Sequence, residues 1–230
     1  MPEQTPLQLL QSTFLFQDLP DALLQRAASH LVLRYHPAGE LLLIEKDWGN
    51  SVYLILTGWV KIRTYNRDGR EITLNILGPG NSFGEMASLA AVPRSSDVVS
   101  LTAVSVGCVP AADFMTLVQE EATLGYRLAQ LMVRRIRQLN RRLQVRELES
   151  TARLADVLLF LAEGQGRSSG RGGVRIPNLP HRELGNLCGL TRETVTRALK
   201  KLEQDKLLER PDTESIILTD PDALETLTEV

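Results

Sequence analysis

Five short runs of mainly aliphatic and β-branched residues lie between residues 32 and 110, and turn residues separate them. The runs are LLLIE, SVYLILTG, VKIRTY, EITLNIL and VVSLTAVSVGCV. The segments between them contain Gly, Pro, Asn or Asp, as in His36-Pro37-Ala38-Gly39, Trp48-Gly49-Asn50, Arg67-Asp68-Gly69 and Gly78-Pro79-Gly80. Strands of this length, separated by such turns, favour an antiparallel β-sandwich or barrel.

Helical periodicity lies on both sides of this β-rich block. Residues 5–31 predict short helices, because apolar residues recur there at helical spacing. Residues 111–149 predict one long helix, whose apolar residues repeat at alternating spacings of three and four: Ala129, Met132, Ile136, Leu139 and Leu143. Such a repeat is the seam of a two-stranded coiled coil, so it predicts a homodimer. The alternative is an amphipathic helix buried within a monomer.

A further helix is predicted at about residues 151–162, and the Gly- and Ser-rich segment from Gly164 to Gly173 predicts an exposed loop. Beyond it, residues 181–202 have the pattern of a helix-turn-helix. Gly185 is small where two helices would cross, and Gly189 lies at the turn, where a positive φ is easiest without a Cβ. Thr191 is a natural N-cap for the second helix.

The second of these helices has two different faces. Its inner face is apolar, with Val195, Leu199 and Leu202, and its outer face carries Arg192, Glu193, Thr196, Arg197 and Lys200. Side chains of these outer types can read base edges and contact phosphates in a DNA groove. The hairpin predicted for LLERPDTESIILTD would then be a wing. The alternative is an ordinary pair of helices with a charged surface.

The distribution of charge supports a polyanion partner such as DNA. Residues 167–206 contain nine Lys and Arg against four Asp and Glu, a net charge of +5, in a chain whose overall net charge is −2. Residues 207–230 carry seven acids against one arginine, a net charge of −6. A basic segment inside a near-neutral chain is consistent with nucleic-acid binding.

Several classes of protein are disfavoured by composition. The two cysteines, Cys108 and Cys188, are isolated, which fits a reducing cytosol and leaves no set of ligands for a zinc or iron–sulfur site. The three histidines are scattered and no nucleophile–base motif is present, so we do not expect an enzyme. No apolar stretch long enough to cross a bilayer and no secretory signal is seen, so a cytoplasmic protein without a membrane partner is expected.

One stretch, FGEMASLAAVPRSS at residues 83–96, interrupts the β pattern and combines an acid with a base. Arg94 can pair with a phosphate through two hydrogen bonds, and Ser95 can donate another. A glycine at position 84 lets the backbone approach closely, and Glu85 can accept from a ribose hydroxyl. The residues therefore suit a sugar–phosphate ligand, with a structural Glu–Arg ion pair as the alternative.

These motifs resemble those of a known family. FGEMASLAAVPRSS resembles the phosphate-binding cassette of cyclic-nucleotide-binding domains, and TRETVTRALKKLE resembles the recognition helix of the CRP/FNR family of bacterial transcription regulators. The resemblance covers nearly the whole chain. It implies an α+β fold with an N-terminal antiparallel β-roll as sensor domain (residues 1–115), a long dimerisation helix (116–149) and a C-terminal winged helix-turn-helix domain (150–230).

The resemblance also implies a ligand and the residues that bind it. Glu85 would hold the ribose 2′-hydroxyl of a cyclic nucleotide, Arg94 and Ser95 its phosphate, and Asn140 on the long helix a purine edge. The full set of candidate ligand-binding residues is Gly84, Glu85, Met86, Arg94, Ser95, Ser96 and Asn140. Cyclic AMP is the expected ligand and cyclic GMP stays open, whereas no metal, haem or iron–sulfur cluster is expected.

For DNA, the resemblance implies that Arg192, Glu193 and Arg197 read bases, because they match the RExxxR pattern that reads TGTGA half-sites in close relatives. His181, Arg182 and Lys200 match positions expected to contact phosphates. The full set of candidate DNA-binding residues is His181, Arg182, Thr191, Arg192, Glu193, Thr196, Arg197 and Lys200.

The function implied is that of a homodimeric transcription regulator, an activator that binds a palindromic TGTGA-like site in double-stranded DNA under the control of a cyclic nucleotide. RNA polymerase is the expected protein partner. Two alternatives stay open: a regulator that acts without an effector and keeps a vestigial nucleotide site, and a nucleotide-binding module whose C-terminal helices only dock a protein.

Overall fold

A computed structural model of the chain describes residues 5–165, 167–168 and 173–229, with side chains described outside 163–168. The chain divides into two compact units, Met1–Val133 and Arg134–Val230. The first contains eight antiparallel strands and the second a small sheet with helices, so the expected α+β fold is confirmed. No helix among the described residues is both long and apolar enough to cross a membrane.

Eight strands form the first unit's β-roll: β1 (Val32–His36), β2 (Leu41–Leu43), β3 (Ser51–Thr57), β4 (Val60–Tyr65), β5 (Glu71–Leu77), β6 (Ser82–Phe83), β7 (Asp97–Ser100) and β8 (Val104–Pro110). They pair in two four-stranded sheets, in the orders β1-β8-β3-β6 and β2-β7-β4-β5. The run VVSLTAVSVGCV therefore forms two strands rather than one, because the chain passes from one sheet to the other at residues 101–103. Residues from both sheets form the core of the roll: Ile55, Val60, Leu77, Phe83, Val98, Val104, Val106 and Cys108.

Five helices begin in the first unit: α1 (Pro6–Gln11), α2 (Asp21–Ser29), α3 (Glu85–Ala90), α4 (Ala111–Glu120) and α5 (Ala122–Gln144). The prediction of a single helix over residues 111–149 is therefore wrong, because Glu121 interrupts the helix between α4 and α5. After α5, the chain continues as a 3-10 turn, Val145–Glu147. Glu121 is extended, with φ −116° and ψ 101°. Its carboxylate accepts a hydrogen bond from the backbone N–H of Thr123 at 3.1 Å, so it caps the N-terminus of α5.

The apolar stripe of α5 is only partly covered. Leu124, Leu128 and Leu131 are buried in the first unit's second core cluster, against which Met132 also packs. Further along the predicted seam, the side chains are more than half exposed: Ile136 57%, Leu139 53% and Leu143 63%. Ala129 is exposed as well. In the single chain, the apolar stripe is therefore buried in the N-terminal half of α5 and exposed in its C-terminal half.

The second unit contains α6 (Ser150–Gln165), β9 (Arg167–Ser168), β10 (Val174–Pro177), α7 (His181–Cys188), α8 (Arg192–Gln204), β11 (Leu208–Glu209), β12 (Ser215–Leu218) and α9 (Pro221–Thr226). The predicted wing is present as β11 and β12, and the full antiparallel sheet has the order β11-β12-β10-β9. Strands β9 and β10 and helix α9 have no counterpart in the sequence-based prediction, and β9 lies within the segment predicted as a loop because it pairs with β10. Residues 166 and 169–172 of the predicted loop lie outside the described residues.

Candidate functional site

The turn into α3 depends on a glycine. Gly84 is the N-cap of α3 with φ +87°, and α3 begins at Glu85. A Cβ on Gly84 would lie 2.8 Å from Nη1 of Arg94 and 3.1 Å from the carbonyl oxygen of Ser51. Position 84 therefore requires glycine both for its left-handed backbone and for the approach of Arg94.

Arg94 is nearly buried, with 4% of its surface exposed. Its guanidinium donates hydrogen bonds to two backbone carbonyl oxygens, those of Ser51 at 2.7 Å and of Gly84. Its Nε is buried and has no hydrogen-bond partner among the described residues. Burial lowers the pKa of Arg94, while Coulombic interactions with Tyr53 and Glu85 act in the opposite direction. The guanidinium is thus a desolvated cation held by main-chain oxygens.

The other predicted cassette residues differ in exposure. Glu85 is fully buried and its charge acts on Arg94, so the structure brings the predicted acid and base together with Gly84. Ser96 is buried, whereas Ser95 and Met86 are exposed. The carboxylate of Glu85 and the guanidinium of Arg94 are therefore both buried, whereas the residues that follow each of them in the sequence, Met86 and Ser95, are exposed.

Sequence reasoning missed the loop that holds Arg94 from the other side. The backbone N–H of Arg94 donates to the carbonyl of Asp47 at 2.9 Å, and its carbonyl accepts from the N–H of Lys46 at 2.8 Å. A Cβ on Gly49 would lie 2.2–2.5 Å from three guanidinium atoms of Arg94. The sequence indicated only a turn at Trp48-Gly49-Asn50, because nothing local links that turn to residue 94.

Asn140, the predicted contact to a purine edge, is exposed on α5 and belongs to the second compact unit. The other predicted ligand residues all belong to the first unit. Among the residues that the structure describes, no group of three or more His, Cys, Asp or Glu is arranged to hold a metal ion.

In the second unit, the helix-turn-helix has the local structure that the sequence predicts. Gly189 ends α7 with φ +64°, and the hydroxyl of Thr191 accepts from the backbone N–H of Thr194 at 3.2 Å to cap α8. A Cβ on Gly185 would lie 2.6 Å from the carbonyl oxygen of Leu190 and 3.5 Å from a methyl carbon of Val195. Gly185 is therefore required chiefly by the turn, and only secondarily by the helix crossing.

The two faces of α8 also follow the prediction. Val195, Leu199 and Leu202 are fully buried. The outer face exposes Arg192, Glu193, Arg197 and Lys200, whereas Thr196 is partly buried. The backbone N–H of Glu193 itself, at the start of α8, and the hydroxyl of Thr191 lower the pKa of Glu193, so its carboxylate is charged and able to accept hydrogen bonds.

His181 and Arg182 begin α7, and they differ in their surroundings. His181 is partly buried and its Nδ1 lies 2.8 Å from the hydroxyl oxygen of Thr196, whereas Arg182 is exposed. Burial, followed by the charges of Arg210 and Arg192, lowers the pKa of His181.

Two arginines that the sequence analysis did not select support this motif. Arg153 on α6 donates to the carbonyl oxygens of Cys188 and, at 3.1 Å, Gly189, which places a cation at the C-terminus of α7. Arg210, after β11, forms a two-point ion pair with Glu203 of α8, at 3.3 Å and 2.5 Å. The sequence pattern does not identify either arginine, because the partners of Arg153 are about 35 residues away and the partner of Arg210 lies on the other side of a turn.

Comparisons with known proteins agree with this geometry. Residues 33–121 match the family described as "Cyclic nucleotide-binding domain", and residues 152–227 match "Crp-like helix-turn-helix domain". The chain is 31% identical over 193 residues to the Cyclic AMP receptor protein of Thermus thermophilus, covering 83% of this chain and 86% of that protein. It is 30% identical over 190 residues to the CRP-like cAMP-activated global transcriptional regulator of Mycobacterium tuberculosis, covering 82% and 84%.

Solved structures give the same fold. The structure of FixK2 from Bradyrhizobium japonicum matches with a TM-score of 0.74 at 22% identity, covering 87% of this chain and 98% of that one. The catabolite activator protein of Thermus thermophilus matches with a TM-score of 0.52 at 27% identity, covering 94% and 98%.

Proposed function

Since the chain belongs to the CRP/FNR family of DNA-binding transcription regulators and carries a cyclic nucleotide-binding domain, we propose that cyclic AMP modulates its binding to a palindromic, TGTGA-like DNA site. The regulator acts as a homodimer. Its protein partner is RNA polymerase and its location is the cytoplasm, both on the basis of family membership.

The observation that carries the nucleotide half of this proposal is the burial of Arg94 and Glu85 beside Gly84. A desolvated guanidinium binds a phosphate strongly, because the interaction replaces no bulk water around the cation. The cyclic phosphate binds Arg94 and Ser95, and the ribose 2′-hydroxyl donates to Glu85. Arg94 donates to the carbonyls of Gly84 and Ser51 through Nη1 and Nη2, so its Nε–H, which has no partner among the described residues, is a donor left for the phosphate.

The DNA half of the proposal is supported by the exposed face of α8. Arg192, Glu193 and Arg197 lie at the N-terminal end of that helix, which is the part that reaches base edges when a recognition helix enters the major groove. Arginine forms paired hydrogen bonds with guanine, and glutamate accepts from cytosine. Lys200 and Arg182 contact phosphates.

The homodimer is supported by the exposed stripe on α5. Ile136, Leu139 and Leu143 follow a coiled-coil repeat and are exposed in the single chain. A second copy of the same helix would cover them. Two recognition helices related by a two-fold axis then match half-sites about one helical turn apart.

The experiment that tests the proposal is a DNA-binding titration by fluorescence anisotropy at fixed salt concentration, with and without cyclic AMP or cyclic GMP. We expect cyclic AMP to change the Kd for a duplex with two inverted TGTGA half-sites. Arg94→Leu should remove the response to nucleotide, whereas Arg67→Leu, in the exposed β4–β5 turn, should keep it. Calorimetry of nucleotide binding to the unmodified protein and to the two variants distinguishes a loss of nucleotide binding from a loss of DNA binding.

One observation favours a second candidate, a regulator that acts without an effector. The two terminal nitrogens of Arg94 already have backbone acceptors, so the cassette is stable with its arginine turned onto the main chain. Specific DNA binding that no nucleotide alters, together with no heat of nucleotide binding, would support this candidate over the first.

A further inference from the structure

The hydroxyl group of Thr196 is engaged within the helix-turn-helix. Its Oγ1 donates a hydrogen bond to the carbonyl oxygen of Arg192, one turn earlier in α8, at 2.9 Å. The same oxygen lies 2.8 Å from Nδ1 of His181, the first residue of α7. The polar group of Thr196 is thus fixed by two partners of the protein itself.

These contacts determine where the hydrogen atoms lie. A carbonyl oxygen only accepts, and a threonine hydroxyl carries one hydrogen, so that hydrogen points at Arg192. Nδ1 of His181 must then donate to Thr196, which selects the Nδ1–H tautomer of the neutral ring. The lowered pKa of His181, caused by burial and by the charges of Arg210 and Arg192, agrees with a neutral ring at pH 7.

We propose that His181 is a positioning residue that holds the hydroxyl of Thr196 toward α7, so that the methyl group of Thr196 reads the C5-methyl group of a thymine. The inference rests on the proposed docking of α8 in the major groove. Thr196 lies one turn from both Arg192 and Lys200 on the outer face of α8. The thymine methyl is the apolar group of the major-groove edge, and a threonine methyl is a suitable partner for it.

This role differs from the phosphate contact that family resemblance implies for His181. A neutral imidazole that donates its Nδ1–H to Thr196 offers only the Nε2 lone pair to a ligand. A lone pair accepts hydrogen bonds and cannot donate one to a phosphate oxygen. His181, at a position that family resemblance assigns to a phosphate contact, here orients the side chain of Thr196, which reads a base.

Replacement of single thymines tests the methyl contact. A preferred duplex is first selected by the full-length protein from a pool with randomised half-sites, in the presence of cyclic AMP. Each thymine is then replaced by deoxyuridine, which lacks only the C5-methyl group, and the Kd is measured. We expect one thymine in each half-site to weaken binding about fourfold when replaced, the contribution of one buried methyl group.

Two variants of Thr196 are matched to this measurement. Thr196→Ser keeps the hydroxyl and should abolish the difference between thymine and deoxyuridine, whereas Thr196→Val keeps a methyl group and should retain the difference. Equal affinity of the unmodified protein for all deoxyuridine duplexes would overturn the proposal. So would an unchanged difference in Thr196→Ser, or its loss in Thr196→Val.

Variants of His181 separate positioning from phosphate contact. His181→Ala should reduce the thymine–deoxyuridine difference, and His181→Asn, whose amide nitrogen can replace the Nδ1 donor, should restore it. Both should keep the slope of log Kd against log salt. If His181→Ala instead weakens all duplexes equally and lowers that slope by about one per subunit, His181 contacts a phosphate and the proposal is wrong.

Failure of this inference is distinguishable from failure of the proposed function. A pool from which no duplex is enriched contradicts sequence-specific DNA binding. Enriched duplexes in which each thymine tolerates replacement contradict only the roles of His181 and Thr196.

Discussion

The guanidinium of Arg94 lies directly against the main chain of Gly49, although 45 positions separate the two residues in the sequence. A Cβ on Gly49 would lie 2.2 Å from Nη2, 2.3 Å from Nε and 2.5 Å from Cζ of Arg94. The guanidinium of Arg94 also donates hydrogen bonds to the backbone carbonyl oxygens of Ser51 and Gly84. A glycine outside the cassette motif therefore determines where the cassette arginine can lie.

Gly49→Ala should force Arg94 out of its present position and break its hydrogen bonds to the main chain. We expect the free energy of unfolding to fall by about 1–3 kcal/mol, the usual cost of inserting atoms into a packed interior. Urea unfolding, followed by circular dichroism, measures the change. Gly125→Ala is the control, because a Cβ there would lie an ordinary 3.5 Å from its nearest neighbour, and alanine is the better helix former. Equal losses in the two variants would contradict the prediction.

Leu139→Asp should convert the proposed homodimer to a monomer. Leu139 lies in the middle of the exposed stripe of α5, and a carboxylate there would be buried without a partner between two helices. Sedimentation velocity at micromolar concentration measures the oligomeric state. Arg137→Ala, an exposed change on the same helix beside the stripe, should leave the dimer intact. A dimeric Leu139→Asp protein would show that another surface joins the subunits.

Gly185→Ala should destabilise the second unit more than Gly189→Asn does. The Cβ on Gly185 would meet the backbone carbonyl of Leu190 at 2.6 Å, and backbone cannot move without altering the turn. At Gly189 the nearest atom is the far end of the flexible Arg153 side chain, at 2.7 Å, and asparagine tolerates the positive φ. We expect a loss of about 1–3 kcal/mol at position 185, measured by thermal unfolding. A larger loss of stability in Gly189→Asn than in Gly185→Ala would contradict the prediction.

Cys188 should resist alkylation in the folded protein. Burial raises the pKa of Cys188 to about 11, and its Sγ donates to the carbonyl of Leu184 at 2.9 Å. At pH 8 the reactive thiolate is therefore at least about 100-fold scarcer than for an ordinary cysteine. Since folding favours the neutral thiol, the stabilisation is present below pH 9 and is lost as pH rises toward 11. Iodoacetamide labelling, read by mass spectrometry, should be slow at pH 8 until urea is added. Equal rates with and without urea would show that the thiol is accessible.

The parts of the fold that the sequence predicted correctly are those whose signals are local. Gly189, Thr191 and the spacing of Val195 and Leu199 lie within eleven residues, and each acts on its own turn or helix face. The break at Glu121 was missed, because a glutamate is a good helix former and becomes a cap only when its chain neighbours are held in place by packing.

Periodicity and residue chemistry along the chain predicted an antiparallel β-rich block, then a long helix, then a helix-turn-helix with a hairpin, and they identified the acid, the base and the outer face of α8. Packing between distant segments decided which partners those side chains have: Gly49 and two carbonyls for Arg94, and His181 for Thr196. The physical reason is that hydrogen-bond donors and close contacts are satisfied by whatever the fold brings near, including backbone atoms, which carry no residue identity for a sequence to reveal.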